Sequence, residues 1–470
     1  MYKFNIPSPP RATEGGIVTV SMTADHLEQS GIPLDVKDGK VAISPPEHHC
    51  MIYGVSGKGK SRRIIYPTVL MSARAGHSII CVDPKGEIYR NTGVAVRAAG
   101  LDVKVINLRE PLKGNRWSPL ALIEKEWKNG NRNRAQIMLR DTAKLICDTI
   151  KSARDGFWHL AAEDMLIGFA TLLLENEYPL TFDNVHAVAN DYAEDPHRYT
   201  LGKEISANCN EARRRLSTIT NLDADTTFSC VLSEFDAAIS PYTDSEEIRD
   251  LLSGSDIELA DIGKRPTAVY LITPDESTAL NGIAGMLVEQ SYSELVRYAD
   301  SLETNRLPLP VDYIIDEFAN VPGNDWPVKL TAARSRGIRF ILALQSLPQL
   351  AERYGADAAK VITSNCRTMV YLGGRDMDLM REINAYQPDE TAGLLGLATL
   401  APGHVVILGD SGIPRTGRLP DWEVWGVKEK ASLAAQKRTI QKSEHLTVRE
   451  VLGIKIVDAD ADDKTDECPF

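Results

Sequence analysis

Paired cysteines are missing from this sequence. Its seven cysteines (Cys50, Cys81, Cys147, Cys209, Cys230, Cys366 and Cys468) are scattered with no CxxC spacing, which argues against a zinc site. Their odd number argues against a closed disulfide framework. Reduced thiols are expected, several of them in core strands. Long hydrophobic runs are missing too. The longest, Leu166 to Leu174, is interrupted by Gly168 and Thr171 and stops at Glu175, short of the ~20 residues that span a bilayer. No membrane-crossing segment is expected. The start, MYKFNIPSPPRATEGG, lacks the basic and apolar regions of a secretory signal, so a cytoplasmic location is expected. There is no excess of positive charge either: 53 basic against 65 acidic residues leave −12. That balance excludes coating nucleic acid by bulk charge, so any such contact must be local. No internal repeat is visible. With 43% hydrophobic and 25% charged residues over 470 positions, the chain reads as a folded protein of about three structural units.

Two hydrophobic patterns alternate. Short β-branched runs at 79–82, 103–106, 268–272, 313–315, 340–344, 369–372 and 405–408 suit strands buried on both faces. Stretches with helical spacing, 61–73, 87–99, 278–299 and 327–336, lie between most of them. The fold class is therefore α/β with a mainly parallel sheet. Between 116 and 262 Leu and Ala recur at three- and four-residue intervals through 134–153, 158–175, 183–193 and 203–220, which predicts an all-helical insertion. The expected division is an N-terminal segment (1–45, with a strand candidate at 17–20), a nucleotide-binding domain in two parts (46–115 and 263–427), the insertion (116–262), and 428–470. That last part reads as a Lys/Ala-rich helical stretch followed by an acidic tail from Asp458.

The sharpest motif is Gly54-Val55-Ser56-Gly57-Lys58-Gly59-Lys60-Ser61, preceded by a strand candidate at 49–53 and followed by a helix. Glycines at this spacing let backbone amides curl around phosphates. Lys60 would reach the β and γ phosphates, and Ser61 would ligate Mg²⁺. An apolar strand ends in Asp316-Glu317. Alone, such a pair reads as a solvated turn. Beside the phosphate loop it predicts Asp316 near Mg²⁺ and Glu317 orienting a hydrolytic water. The following strand ends at Gln345, a polar amide at the carboxyl edge where a γ phosphate would lie. Asp83, at the end of another strand in Asp83-Pro84-Lys85-Gly86-Glu87, is expected on the same side. Arg334, Arg336 and Arg339 crowd a helix end and turn, and an arginine supplied by a neighbouring subunit can neutralise charge in phosphoryl transfer.

Together with Tyr354-Gly355, Asn365-Cys366 and Tyr371-Leu372-Gly373-Gly374, these motifs appear in the order seen in type IV secretion coupling proteins of the TraG/TraD type. The resemblance covers about 45–415, and Phe157-Trp158 with the following helix resembles the start of that family's all-alpha domain. It implies a RecA-like P-loop ATPase using ATP and Mg²⁺ and hexameric when active. Such a protein recruits a relaxase–DNA complex (the relaxosome) and drives its transfer into a type IV secretion channel, with whose membrane and ATPase components it would interact. The family pattern gives Lys60 and Ser61 to phosphates and Mg²⁺, Asp316 and Glu317 to metal and water, Gln345 to the γ phosphate, and Arg334 to the trans position. Val55 replaces a frequent proline, and Lys58 adds a cation near the phosphates. Family members usually begin with transmembrane helices, and none is expected here: the anchor is removed, supplied by a separate protein, or absent in a soluble branch, and the expected place is cytoplasmic and peripheral at the inner face of the membrane through partners. Basic islands at Arg132, Arg134 and Arg140, or Arg213 to Arg215, are candidate DNA contacts, although such runs are usually solvated helix faces. Two other readings share the nucleotide motif: a soluble DNA pump of the FtsK or HerA type, and a nucleotide-binding adaptor with little turnover. Glu317 speaks against the adaptor.

Overall fold

The computed structural model describes residues 17–148, 156–195, 197–220, 225–385, 394–410, 414–434 and 446–454. The acidic tail from Asp458 and Cys468 lie outside the described residues. The chain divides into two compact units, Met1–Trp117 with Ser255–Arg438, and Ser118–Gly254 with Thr439–Phe470.

The first unit holds two sheets. A small antiparallel one joins β1 (Val18–Ser21), β2 (Pro33–Lys37) and β3 (Lys40–Ile43) in the order β1-β3-β2. The large one comprises β4 (Cys50–Tyr53), β5 (Ser78–Pro84), β6 (Asp102–Asn107), β7 (Thr267–Thr273), β8 (Val311–Ile315), β9 (Ile338–Leu344), β10 (Thr368–Tyr371), β11 (His404–Leu408) and β12 (Arg415–Arg418). Its order is β12-β11-β10-β4-β9-β8-β5-β7-β6. Every pairing from β10 to β6 is parallel, and β11 and β12 add on antiparallel. The central strands β4, β7, β8 and β9 are buried along their whole length, which is why they read as continuous apolar runs. Each such Val, Ile or Leu contributes about 1.5–3 kcal/mol on burial. Cys50 and Cys81 lie buried in β4 and β5 as free thiols.

Both faces of the sheet are covered. On one, the helices Tyr66–Arg74 and Glu87–Ala98 join Trp422 and Trp425 in an aliphatic core. On another, Phe340 of β9 packs against Tyr313 at 4.8 Å, Trp326 at 5.6 Å and Tyr292 at 6.1 Å. β12 reads Arg-Thr-Gly-Arg, a polar edge strand that the hydrophobic pattern did not predict. Gly417 lets β2 come close: a Cβ there would lie 1.9 Å from the Leu34 carbonyl oxygen.

A buried ion pair closes the amino-terminal side of the sheet. Asp312 (1% exposed) accepts from Arg339 Nε at 2.9 Å, Ser72 Oγ at 2.6 Å and His77 Nδ1 at 3.0 Å. Arg339 (3% exposed) also donates to the Ser30 carbonyl at 2.9 Å. Burial alone would raise the Asp312 carboxyl, but Arg339 and His77 outweigh it and hold it well below the usual carboxylate range.

The second unit is helical among its described residues. The helix Gly156–Glu175 runs through it with Met165, Phe169, Ala170 and Leu173 fully buried. Counted as a helix rather than as an unbroken apolar run, Phe157–Glu175 is long and apolar enough to cross a membrane, yet 67% of it is buried within the protein. The stretch with helical spacing over 203–220 holds parts of two helices, Arg198–Asn208 and Glu211–Thr220. Cys209 is extended, and the Glu175 carboxylate takes the backbone N–H groups of Asn210 and Glu211 that start the second helix. The helical stretch predicted from 428 is not seen in 428–434. There Ala431 N–H binds the Arg90 carbonyl at 2.7 Å and Ala431 packs into the core beside Gly93 of the helix Glu87–Ala98. A short helix, Val448–Val451, closes by a capping box at Thr447 and Glu450 and pairs Arg449 with Asp195 at 3.0 Å.

Candidate functional site

The loop after β4 carries Gly57 and Gly59 in the left-handed region (φ 80° and 92°), where side chains are strained. At Gly59 a Cβ would also meet the Arg63 side chain at 2.9 Å. The loop enters a widened turn, Lys60–Ile65, before the helix Tyr66–Arg74. Lys60 is 9% exposed and donates to the Gly54 carbonyl at 2.6 Å, which folds its ammonium back over its own loop. Burial lowers its pKa, against the opposing pull of Asp316 and Glu317.

Strand order decides what meets the loop. β9 lies between β4 and β8, so the acidic pair after β8 stands two strands from the loop, and Gln345 at the end of β9 stands between them. Ser61 Oγ donates to Asp316 Oδ2 at 3.3 Å. Gln345 Nε2 donates to Glu317 Oε1 at 3.4 Å. Burial raises the Asp316 carboxyl, with Lys60 pulling the other way. Glu317 sits at φ 50°, a left-handed turn fixed from below by Phe318, which is fully buried against Trp326 at 4.7 Å and Tyr354 at 5.4 Å.

Asp83, next to β8 on β5, is fully buried and accepts from the backbone N–H groups of Ile88 at 3.1 Å and Tyr89 at 2.8 Å. It fixes the start of the helix Glu87–Ala98. Burial pushes its pKa to about 7, against the two N–H donors.

Lys60, Ser61, Asp83, Asp316, Glu317 and Gln345 all line one cleft of ≈ 220 Å³, with Val55, Ser56, Gly57 and Gly59 on its loop side. Gly54 and Lys58 do not: Lys58 Nζ turns to the Leu400 carbonyl at 3.2 Å. Arg62 and Lys85 line the cleft without having been singled out from sequence. Arg62 directly follows Ser61 and binds Asp421 and Glu423, and Lys85 is held at φ 96° beside Asp275 at 3.5 Å. Lys85's place in the Asp83–Glu87 motif and Arg62's place next to Ser61 were the available signals. A loop of open backbone with a buried ammonium fits phosphate. A hydroxyl facing a carboxylate offers the hard oxygen donors that Mg²⁺ takes.

Arg334 is not in this cleft. It lies before β9, at the opposite edge of the sheet, exposed and paired with no carboxylate among the described residues. Arg336 binds Asp300 at 3.0 Å, and Arg339 is buried on Asp312. Of the basic islands, Arg132 stacks on Trp127, Arg134 faces Glu126, Arg213 donates to the Ser206 carbonyl and Arg215 binds Asp164. Arg140 and Arg214 are exposed.

The family model for type IV secretory system conjugative DNA transfer proteins matches residues 10–384. The chain belongs to that family. No curated protein matches it. Among solved structures, the conjugative coupling protein TrwBdeltaN70 in an unbound form is 17% identical with a TM-score of 0.59, covering 90% of this chain and 96% of its own. TrwB with the ATP analogue ADPNP is 16% identical with a TM-score of 0.61, covering 92% and 98%. TrwB with ADP and Mg²⁺ is 16% identical with a TM-score of 0.57, covering 87% and 91%. At these identities the likeness shows the fold: this conjugative DNA transfer protein has the RecA-like P-loop architecture of TrwB.

Proposed function

We propose that this coupling-protein family member hydrolyses ATP with Mg²⁺ as a hexamer and uses the cycle to move a relaxase–DNA complex into a type IV secretion channel. It would act at the inner face of the membrane through its partners. The observation that carries the reading is the convergence of Lys60, Ser61, Asp316, Glu317 and Gln345 on one cleft from three separate strand ends. TrwB structures of the same fold hold ADPNP or ADP with Mg²⁺.

In this mechanism Lys60 would leave the Gly54 carbonyl for the phosphates, Ser61 and Asp316 would hold Mg²⁺, Glu317 would orient the attacking water, and Gln345 would contact the γ phosphate. Mg²⁺ held there would supply charge neutralisation for the phosphates. β9 spans seven residues between Arg334 and Gln345, about 20 Å at ~3.3 Å per residue. Arg334 therefore serves the cleft of a neighbouring subunit, where a trans arginine contributes about 10³–10⁵ in rate.

Mixing variants tests this. Lys60→Ala and Arg334→Ala are each expected to be inactive alone, and a mixture is expected to regain part of the turnover, because some clefts then combine an intact Lys60 with a neighbour's Arg334. An equally dead mixture would contradict the trans assignment.

A further inference from the structure

The two acids at the end of β8 are held differently. Asp316 faces Ser61 and the N–H of Glu317, the latter at 3.0 Å. The Glu317 carboxylate instead lies between two side-chain amides: Oε1 accepts from Gln345 at 3.4 Å and Oε2 from Asn320 Nδ2 at 3.2 Å. The backbone sets the second contact. Phe318–Asn320 is a single 3₁₀ turn entered from the left-handed Glu317, and residues three apart eclipse in such a turn. Asn320 N–H also binds the Glu317 carbonyl at 2.8 Å. Buried Phe318 anchors the turn, whereas Asn320 is exposed, so its side chain is the part free to leave. In this arrangement the group read as orienting water and the group read as meeting the γ phosphate are bonded to each other, with a second amide, that of Asn320, closing the carboxylate's other side.

We infer that Asn320 is a positioning residue that restrains Glu317, holding its carboxylate off the hydrolytic water until the amide is withdrawn. The inference rests on the reading of Glu317 as the water-orienting acid. No step passes through Asn320 itself; it acts by fixing where the carboxylate points. Release of one such hydrogen bond is enough to change turnover about 3–10-fold.

The test compares wild type, Asn320→Ala, Asn320→Asp and Glu317→Gln in ATP turnover with and without single-stranded DNA, together with hydrogen exchange of the 318–321 amides in nucleotide-free protein. Asn320→Asp keeps the shape but replaces the donor with a like charge. Both Asn320 variants are expected to raise kcat without DNA about 3–10-fold, with KM unchanged, less further stimulation by DNA, and wild-type exchange in the turn. A kcat that is unchanged or lower in both, while Glu317→Gln abolishes turnover, overturns the restraint and leaves the Glu317 reading intact. A rise accompanied by faster exchange across the turn also overturns it, since the loosened backbone would then be the cause. Full turnover in Glu317→Gln overturns the underlying reading itself.

Discussion

Burial moves the titration of Asp83, in the cleft, toward neutral pH. Buried and capping a helix, it has a pKa of about 7 in the fold, against about 3.9 for a free aspartate. The native state therefore binds its proton more tightly than the unfolded chain does. This group's contribution is fully present below about pH 4 and is lost as pH rises toward 7. Asn cannot titrate, so the stability of Asp83→Asn is expected to fall less between pH 4 and 7 than that of wild type in parallel denaturant titrations. Identical slopes would contradict the buried, titrating Asp83. At this scale the sequence was legible where chemistry is written in contiguous residues. Asp316, Glu317 and Gln345 sit at strand ends that the apolar pattern marks, and Lys60 and Ser61 close the glycine-rich loop that follows another strand. Lys58 was not legible, because its turn toward Leu400 depends on chain 342 residues away. Nor was the role inferred for Asn320, which depends on the 3₁₀ geometry after Glu317.

Among elements, the strands buried on both faces were readable and the exposed ones were not. β4, β5, β7, β8 and β9 are nearly pure apolar runs, whereas β12 offers only Arg415, Thr416, Gly417 and Arg418. Nothing in the sequence gives strand order, so the position of β9 between β4 and β8 comes only from the fold. The stretch 428–434 shows packing overriding propensity: Ala431 lies against the sheet-covering helix and Leu433 against the same core, rather than forming a helix of their own. Gly417→Val places a side chain against the Leu34 carbonyl and is expected to cost about 1–3 kcal/mol in urea unfolding; an unchanged midpoint would mean β2 does not pack on β12. Asp312→Asn leaves the Arg339 guanidinium buried without its counter-charge, at an expected cost of about 3–5 kcal/mol. A loss below 1 kcal/mol would mean that Arg339 reaches water.

For the molecule as a whole, family membership and fold agree with the arrangement of the cleft, while Arg334 lies on the far edge of the sheet, where the proposed trans role would leave each cleft incomplete without a neighbour. A chain built this way is predicted to work poorly as isolated subunits. The most direct measurement is ATP turnover per subunit across protein concentration for wild type, Lys60→Ala and Glu317→Gln, with and without single-stranded DNA. The account predicts a steep rise of wild-type turnover with concentration, stimulation by DNA, and loss of turnover in both variants. Turnover per subunit that is constant with concentration, or that survives Lys60→Ala, would contradict it.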